Sequence, residues 1–182
     1  IMVKSNEIDM INGKTLKKMI FFSIPIIFTS VFQLLFNTVD IIVIGRFSGS
    51  TALAGVGATS SLINLLISLL IGISMGISVT MGKYCGARDY KNASDTFHNA
   101  IGLAMMAGTI LLFVGIIASR PKLELMGTPK EIIDLSVLYM KIFFLGSPAA
   151  ALYNFGAALL RSIGDTKRPL YFLIISGIVN VV

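Results

Sequence analysis

From Leu16 onward, long apolar runs alternate with short polar breaks. The runs cover about 16–47, 52–83, 93–118, 130–160 and 170–182. The first four exceed the ~20 residues that a helix needs to cross the hydrocarbon core of a bilayer. The pattern therefore predicts an all-α, polytopic transmembrane bundle of about five helices. Gly49-Ser50 is the expected turn after the first run, and Cys85 to Lys91 the polar loop after the second. Arg120-Pro121 is expected to end the third. Gly127-Thr128-Pro129 opens the fourth, which Gly146-Ser147-Pro148 interrupts, and Gly164 to Pro169 forms the next loop. Residues 1–15 are expected to be a cytoplasmic tail and 16–182 one transmembrane lobe. The fifth run stops among apolar residues at Asn180-Val181-Val182, so the chain is expected to be a piece of a longer protein. The first run is too long for the apolar core of a signal peptide, and no small-residue cleavage site precedes its end.

Composition strengthens this reading. Hydrophobic residues make up 55% of the 182 and charged residues 13%, against about 25% charged in a soluble domain. Mean hydropathy is +0.86. A soluble fold of this size leaves too much surface in water to hide so much apolar side chain. The net charge of +6 lies between the runs, which fits a topology signal and not a nucleic-acid surface. Lys4, Lys14, Lys17, Lys18, Lys83, Arg88, Lys91, Arg161, Lys167 and Arg168 fall on one side if each run crosses once. Arg46, Arg120, Lys122 and Lys130 fall on the other. The excess puts the N-terminus in the cytoplasm. One cysteine, Cys85, gives neither a disulfide framework nor a cysteine metal site, and it reads as a reduced bystander. No phosphate-binding loop, GxSxG or HExxH motif occurs, and the loops are too short for a catalytic domain. The chain reads as a non-enzyme without an organic cofactor.

Asp40 is the most informative residue. It follows Phe36-Asn37-Thr38-Val39, precedes Ile41-Ile42-Val43-Ile44, and stands 22 residues after Lys18, or about 33 Å of helix. A carboxylate there is costly in lipid and must face a bundle interior or an aqueous cavity. Apolar surroundings favour the neutral acid, which suits proton coupling; the ionised group, backed by backbone dipoles, suits Na⁺. The plainer alternative is a carboxylate that ties helices at the outer interface. Asn37 and Gln33 continue a polar stripe from Asp40 down the same helix face. Ser68, Gly72, Gly76 and Thr80 form a small-residue stripe on the second helix, and Ala100, Ala104 and Gly108 a looser one on the third. Both are expected to pack against other helices. Pro25 and Pro148 remove backbone hydrogen bonds and can kink their helices, leaving carbonyls free to line a cavity. Asn64 and Asn154 are expected to bridge helices. Lys141 is expected to snorkel outward or to pair with an acid such as Asp134, and His98 to sit at the inner interface.

Several segments together resemble the N-terminal lobe of the multidrug and toxic compound extrusion (MATE) transporters. They are Ile24-Pro25 with Gln33-Leu34-Leu35-Phe36-Asn37-Thr38-Val39-Asp40 and Ile44-Gly45-Arg46; Ala52-Leu53-Ala54-Gly55-Val56-Gly57; Gly82-Lys83-Tyr84-Cys85-Gly86-Ala87-Arg88; and Arg161-Ser162-Ile163-Gly164-Asp165-Thr166-Lys167-Arg168-Pro169. The resemblance runs from about Thr15 to the end and is greatest to the bacterial branch common in Gram-positive anaerobes. It implies a partial six-helix N-lobe of a twelve-helix fold, the partner being a C-terminal lobe of the same polypeptide. It implies export of cationic, amphipathic drugs, driven by H⁺ or Na⁺ entry through alternating access. It also implies a cation-coupling site containing Asp40 and Asn180, with Gln33, Asn37 and Pro25 lining the same cavity. No metal site is expected beyond Na⁺ at Asp40. A flippase for lipid-linked precursors is the alternative within the superfamily, and a non-transporting scaffold the alternative outside it.

Overall fold

The computed structural model describes residues 15–47 and 49–181 of the chain. The described residues form six helices: α1 (Thr15–Phe47), α2 (Gly49–Gly86), α3 (Tyr90–Leu125), α4 (Lys130–Leu145), α5 (Ser147–Ser162) and α6 (Lys167–Val181). Among the described residues, α1, α2 and α3 are each long and apolar enough to cross a membrane, and α4 with α5, bent by 50° at their break, is so only when the two are taken together. The chain is an all-α membrane protein. The 33 residues of α1 make about 50 Å of helix, more than a hydrocarbon core of about 30 Å.

Helix ends are set by local chemistry. Arg88 adopts φ 57°, and the N–H groups of Arg88 and Asp89 donate to the carbonyls of Cys85 and Tyr84, closing α2 with a left-handed cap. Asp89 then starts α3 by accepting from the Asn92 backbone N–H at 3.2 Å and from the Asn92 side-chain amide, as an N-cap does. The polar loop expected from Cys85 to Lys91 is therefore shorter, because α2 reaches Gly86 and α3 begins at Tyr90.

The third helix does not stop at Arg120-Pro121. Pro121 lies inside α3, which continues to Leu125. The ladder loses one bond there, but the next turn is held by Arg120 and Glu124, whose Nε–Oε1 distance is 3.1 Å. The real stop is Gly127, at φ +71°. Its N–H donates to the Glu124 carbonyl, and that of Thr128 to the Leu123 carbonyl, again the left-handed closure that glycine favours.

Two compact units make up the chain. One comprises Ile1–Val39 (described from Thr15), Met75–Asn99 and Gly156–Val182; the other comprises Asp40–Ser74 and Ala100–Phe155.

In the first unit, the Ser78 hydroxyl donates to the Ala158 carbonyl at 3.1 Å, tying α2 to α5. Gly177 of α6 is buried, and a Cβ built on it would fall within the ring of Phe36 on α1. Pro25 lies within an unbroken α1, and its carbonyl accepts from the Thr29 hydroxyl at 2.8 Å.

The second unit is built on the inner face of α4. Leu123, Ile133, Val137, Met140 and Phe144 form its core, with Leu62, Leu66, Ile116 and Phe143 packed against them. The Ser136 hydroxyl lies 3.2 Å from the Gly55 carbonyl. A side chain at Gly115 would run into the Phe144 ring, and one at Gly108 would come 2.6 Å from Pro148 Cα. Ala100, Ala104 and Gly108 are all buried, so the expected third-helix seam is used.

The same seam explains the break at Gly146. Pro148 has no N–H to offer Phe144 four residues earlier. The Ser147 hydroxyl takes over, 2.8 Å from the Phe144 carbonyl and 2.9 Å from that of Gly108, with one proton to share between them. The bend is thereby bonded down onto α3.

The second-helix stripe departs from expectation. Ser68, Gly72, Gly76 and Thr80 are exposed, and nothing lies within 4 Å of a Cβ built on Gly72 or Gly76. α2 instead buries Gly55, Thr59, Ile63, Leu70 and Ser74.

Candidate functional site

Asp40 sits near the end of α1 and is half-buried. Among the described residues, its charge acts on Tyr139 of α4, which is also half-buried. The two groups act on each other through charge, and among the described residues no hydrogen bond joins them. Residues 41–43, which follow Asp40, are apolar and exposed, as suits a span whose outer surface meets lipid.

Gln33 and Asn37, on the same helix, are both exposed. Phe32 and Phe36 occupy intervening positions and stack with ring centroids 6.1 Å apart. Asn180 falls within α6, but its side chain lies outside the described residues. Pro25 is fifteen residues before Asp40 on α1.

Other polar groups resolve differently. Asn154 donates to its own helix, at the Ala150 carbonyl 2.8 Å away, in place of the expected bridge, and Asn64 is exposed. Asp134 is engaged by Arg120, Nη1 to Oδ1 at 3.3 Å, so the expected pairing with Lys141 gives way to the other option, an exposed Lys141. His98 is exposed, with Nδ1 2.8 Å from the Ser94 carbonyl. Among the described residues, no group of three or more His, Cys, Asp or Glu is placed to hold a metal ion.

Two features escape a sequence reading. Tyr139 reads as one more residue of an amphipathic run, and only the packing of α4 puts it within reach of the charge of Asp40. Asp165, quoted above only as part of a motif, is fully buried and caps α6. Its Oδ1 accepts from the backbone N–H groups of Lys167 and Arg168, at 3.2 and 3.1 Å. An acid two residues before a helix start was the available signal.

The family model MatE matches residues 25–182, a stretch that includes Asp40, Tyr139 and Asn180. The chain belongs to the MatE family. The probable multidrug resistance protein YoeA of Bacillus subtilis (strain 168) is 33% identical over 91% of this chain and 36% of its own length. Crystal structures of a MATE protein in its bent and straight conformations superpose with TM-scores of 0.84 and 0.83 at 25% identity. They cover 91% of this chain and 37% and 36% of those proteins. The MatE chain described here thus spans little more than a third of these relatives, and its fold matches both conformations equally well.

Proposed function

We propose that the whole protein is a secondary active antiporter of the bacterial cytoplasmic membrane that exports cationic, amphipathic compounds. H⁺ or Na⁺ entry drives export, and Asp40 binds the coupling ion. The observation that carries this reading is the carboxylate of Asp40, half-buried in an apolar span, in a member of the MatE family. Such a group is expensive to keep in a membrane unless it is used. Asn180 contributes a second oxygen, and Gln33, Asn37 and the kinkable turn at Pro25 line the same cavity. A C-terminal lobe of the same polypeptide completes the transport path. The N-terminus faces the cytoplasm, in keeping with the excess of Lys and Arg in the segments on its side.

An ion moves the transporter between inward- and outward-open states only through different affinities for the two. Asp40 therefore exchanges surroundings during the cycle, and Tyr139 belongs to one of them. The test is ethidium efflux from pump-deficient cells expressing the full-length protein, wild type beside Asp40→Asn at equal membrane levels. Loss of efflux in the variant supports coupling at Asp40. Equal efflux moves coupling to the C-terminal lobe, and none from either protein points to another substrate class.

A further inference from the structure

Within this chain, 6% of the most apolar stretch of α1 is buried, against 22% for α3. One contact that α1 does make is the seat of the Phe36 ring on the bare backbone of Gly177. Gly177 is buried while its neighbours Ile175, Ser176, Ile178 and Val179 are exposed. Phe36 is braced from below by Phe32, whose ring is tilted by 22° against it. A ring lying over a glycine allows two helices to approach more closely than any side chain would. Because the ring occupies the space of the missing Cβ, any side chain at position 177 would strike it and push α1 away from α6. Asp40 lies four residues beyond Phe36, about 6 Å further along α1.

We propose that Phe36 and Gly177 are positioning residues for ion coupling, the seat on which α1 is registered against α6 so that Asp40 is presented at the working depth. This rests on the reading of Asp40 as the coupling residue. Neither residue touches the ion; both act through the placement of α1.

The test uses the full-length protein reconstituted in vesicles. Substrate transport is measured against Na⁺ concentration and pH for wild type, Gly177→Val, Phe36→Ala and the double variant, with Asp40→Asn as reference. Gly177→Val is expected to lower transport roughly tenfold or more, as when a working group is displaced by about an ångström, and to shift the half-maximal ion concentration. Phe36→Ala in that background is expected to restore much of both, because it removes the ring that the new side chain strikes. If Gly177→Val fails to reach the membrane, Phe36→Ala alone decides, since it opens space without a clash: a shifted ion dependence supports the seat and an unchanged one overturns it. Unchanged ion dependence in every seat variant, with Asp40→Asn inactive, overturns the seat and leaves the role of Asp40 standing. Wild-type transport by Asp40→Asn would instead remove the reading on which the seat depends.

Discussion

The guanidinium of Arg168 lies 3.0 Å, Nε to Oδ2, from the fully buried carboxylate of Asp165. The N–H is not aimed along that contact, so Oδ2 has an ionic partner but no hydrogen bond. Oδ1 is satisfied by two backbone N–H groups at the start of α6. Asp165 thus joins the end of α5, where its N–H donates to the Leu160 carbonyl, to the start of α6, directly after Gly164, whose φ of +89° closes α5. Asp165→Ala leaves the two amides without their acceptor and Arg168 without its counter-charge. Because Arg168 is itself 35% exposed, the ion pair is discounted and the cap dominates, for an expected loss of about 2 kcal/mol. Asp165→Asn keeps an acceptor oxygen and is expected to lose less. Thermal unfolding of the purified full-length protein in detergent compares the two, and equal stabilities would refute the capping role.

The glycine seam of α3 makes a second prediction with an internal control. Gly108→Ala would meet Pro148 Cα at 2.6 Å and the Ala151 methyl at 3.0 Å, whereas nothing lies within 4 Å of a methyl at Gly102. The backbone at Pro148 cannot swing aside as a side-chain tip can. Gly108→Ala is expected to cost about 1–3 kcal/mol, and Gly102→Ala to cost nothing measurable. The same unfolding assay reads both, and a harmless Gly108→Ala would mean that the bend at Gly146 is not clamped to α3.

Arg88 offers a stabilising change. A non-glycine residue at φ 57° is strained by about 1 kcal/mol relative to glycine. Arg88→Gly should therefore raise the unfolding temperature, and Arg88→Val, β-branched at a left-handed position, should lower it. An Arg88→Gly protein no more stable than wild type would indicate that the guanidinium makes up for the backbone strain.

The spans were legible because apolar runs of this length have no other stable home, and the break at Gly146-Ser147-Pro148 was legible from its residues. Where each helix stops was harder to read. Pro121 looks like a terminator, yet a proline removes only one bond, while Gly127 supplies the left-handed residue that closes the helix. The direction in which a helix faces was least accessible. In α2, which is apolar all round, spacing reveals a face that permits close approach but not whether that face is used. Within this chain Ser68, Gly72, Gly76 and Thr80 were exposed, and Gly55, Thr59 and Ser74 were buried. Asp40 stood out as a charge in an apolar run; Tyr139 did not, because its role depends on the register between two helices.

Membrane orientation is open to direct measurement. Lys91, near the start of α3, and Met126, just past its end, are both exposed and lie at opposite ends of a single span. In an otherwise cysteine-free full-length protein, Met126→Cys is expected to react with a membrane-impermeant maleimide in intact cells. Lys91→Cys is expected to react only after permeabilisation. The reverse pattern would place the N-terminus outside and turn the proposed direction of ion entry around.

The influence of the Asp40 charge on Tyr139 leads to the most discriminating variant. Tyr139→Phe keeps the ring that packs in α4 and removes only the hydroxyl. If the phenol supports the carboxylate in just one state of the cycle, its loss costs one hydrogen bond to a charged group in that state, about 1.5 kcal/mol. That is roughly tenfold in affinity. The unfolding temperature should stay near wild type, since the apolar body of the side chain is retained. The ion concentration for half-maximal efflux should move by up to that factor, while Asp40→Asn abolishes coupling outright. An ion dependence left unchanged by Tyr139→Phe would show that its electrostatic link to Asp40 is incidental to transport.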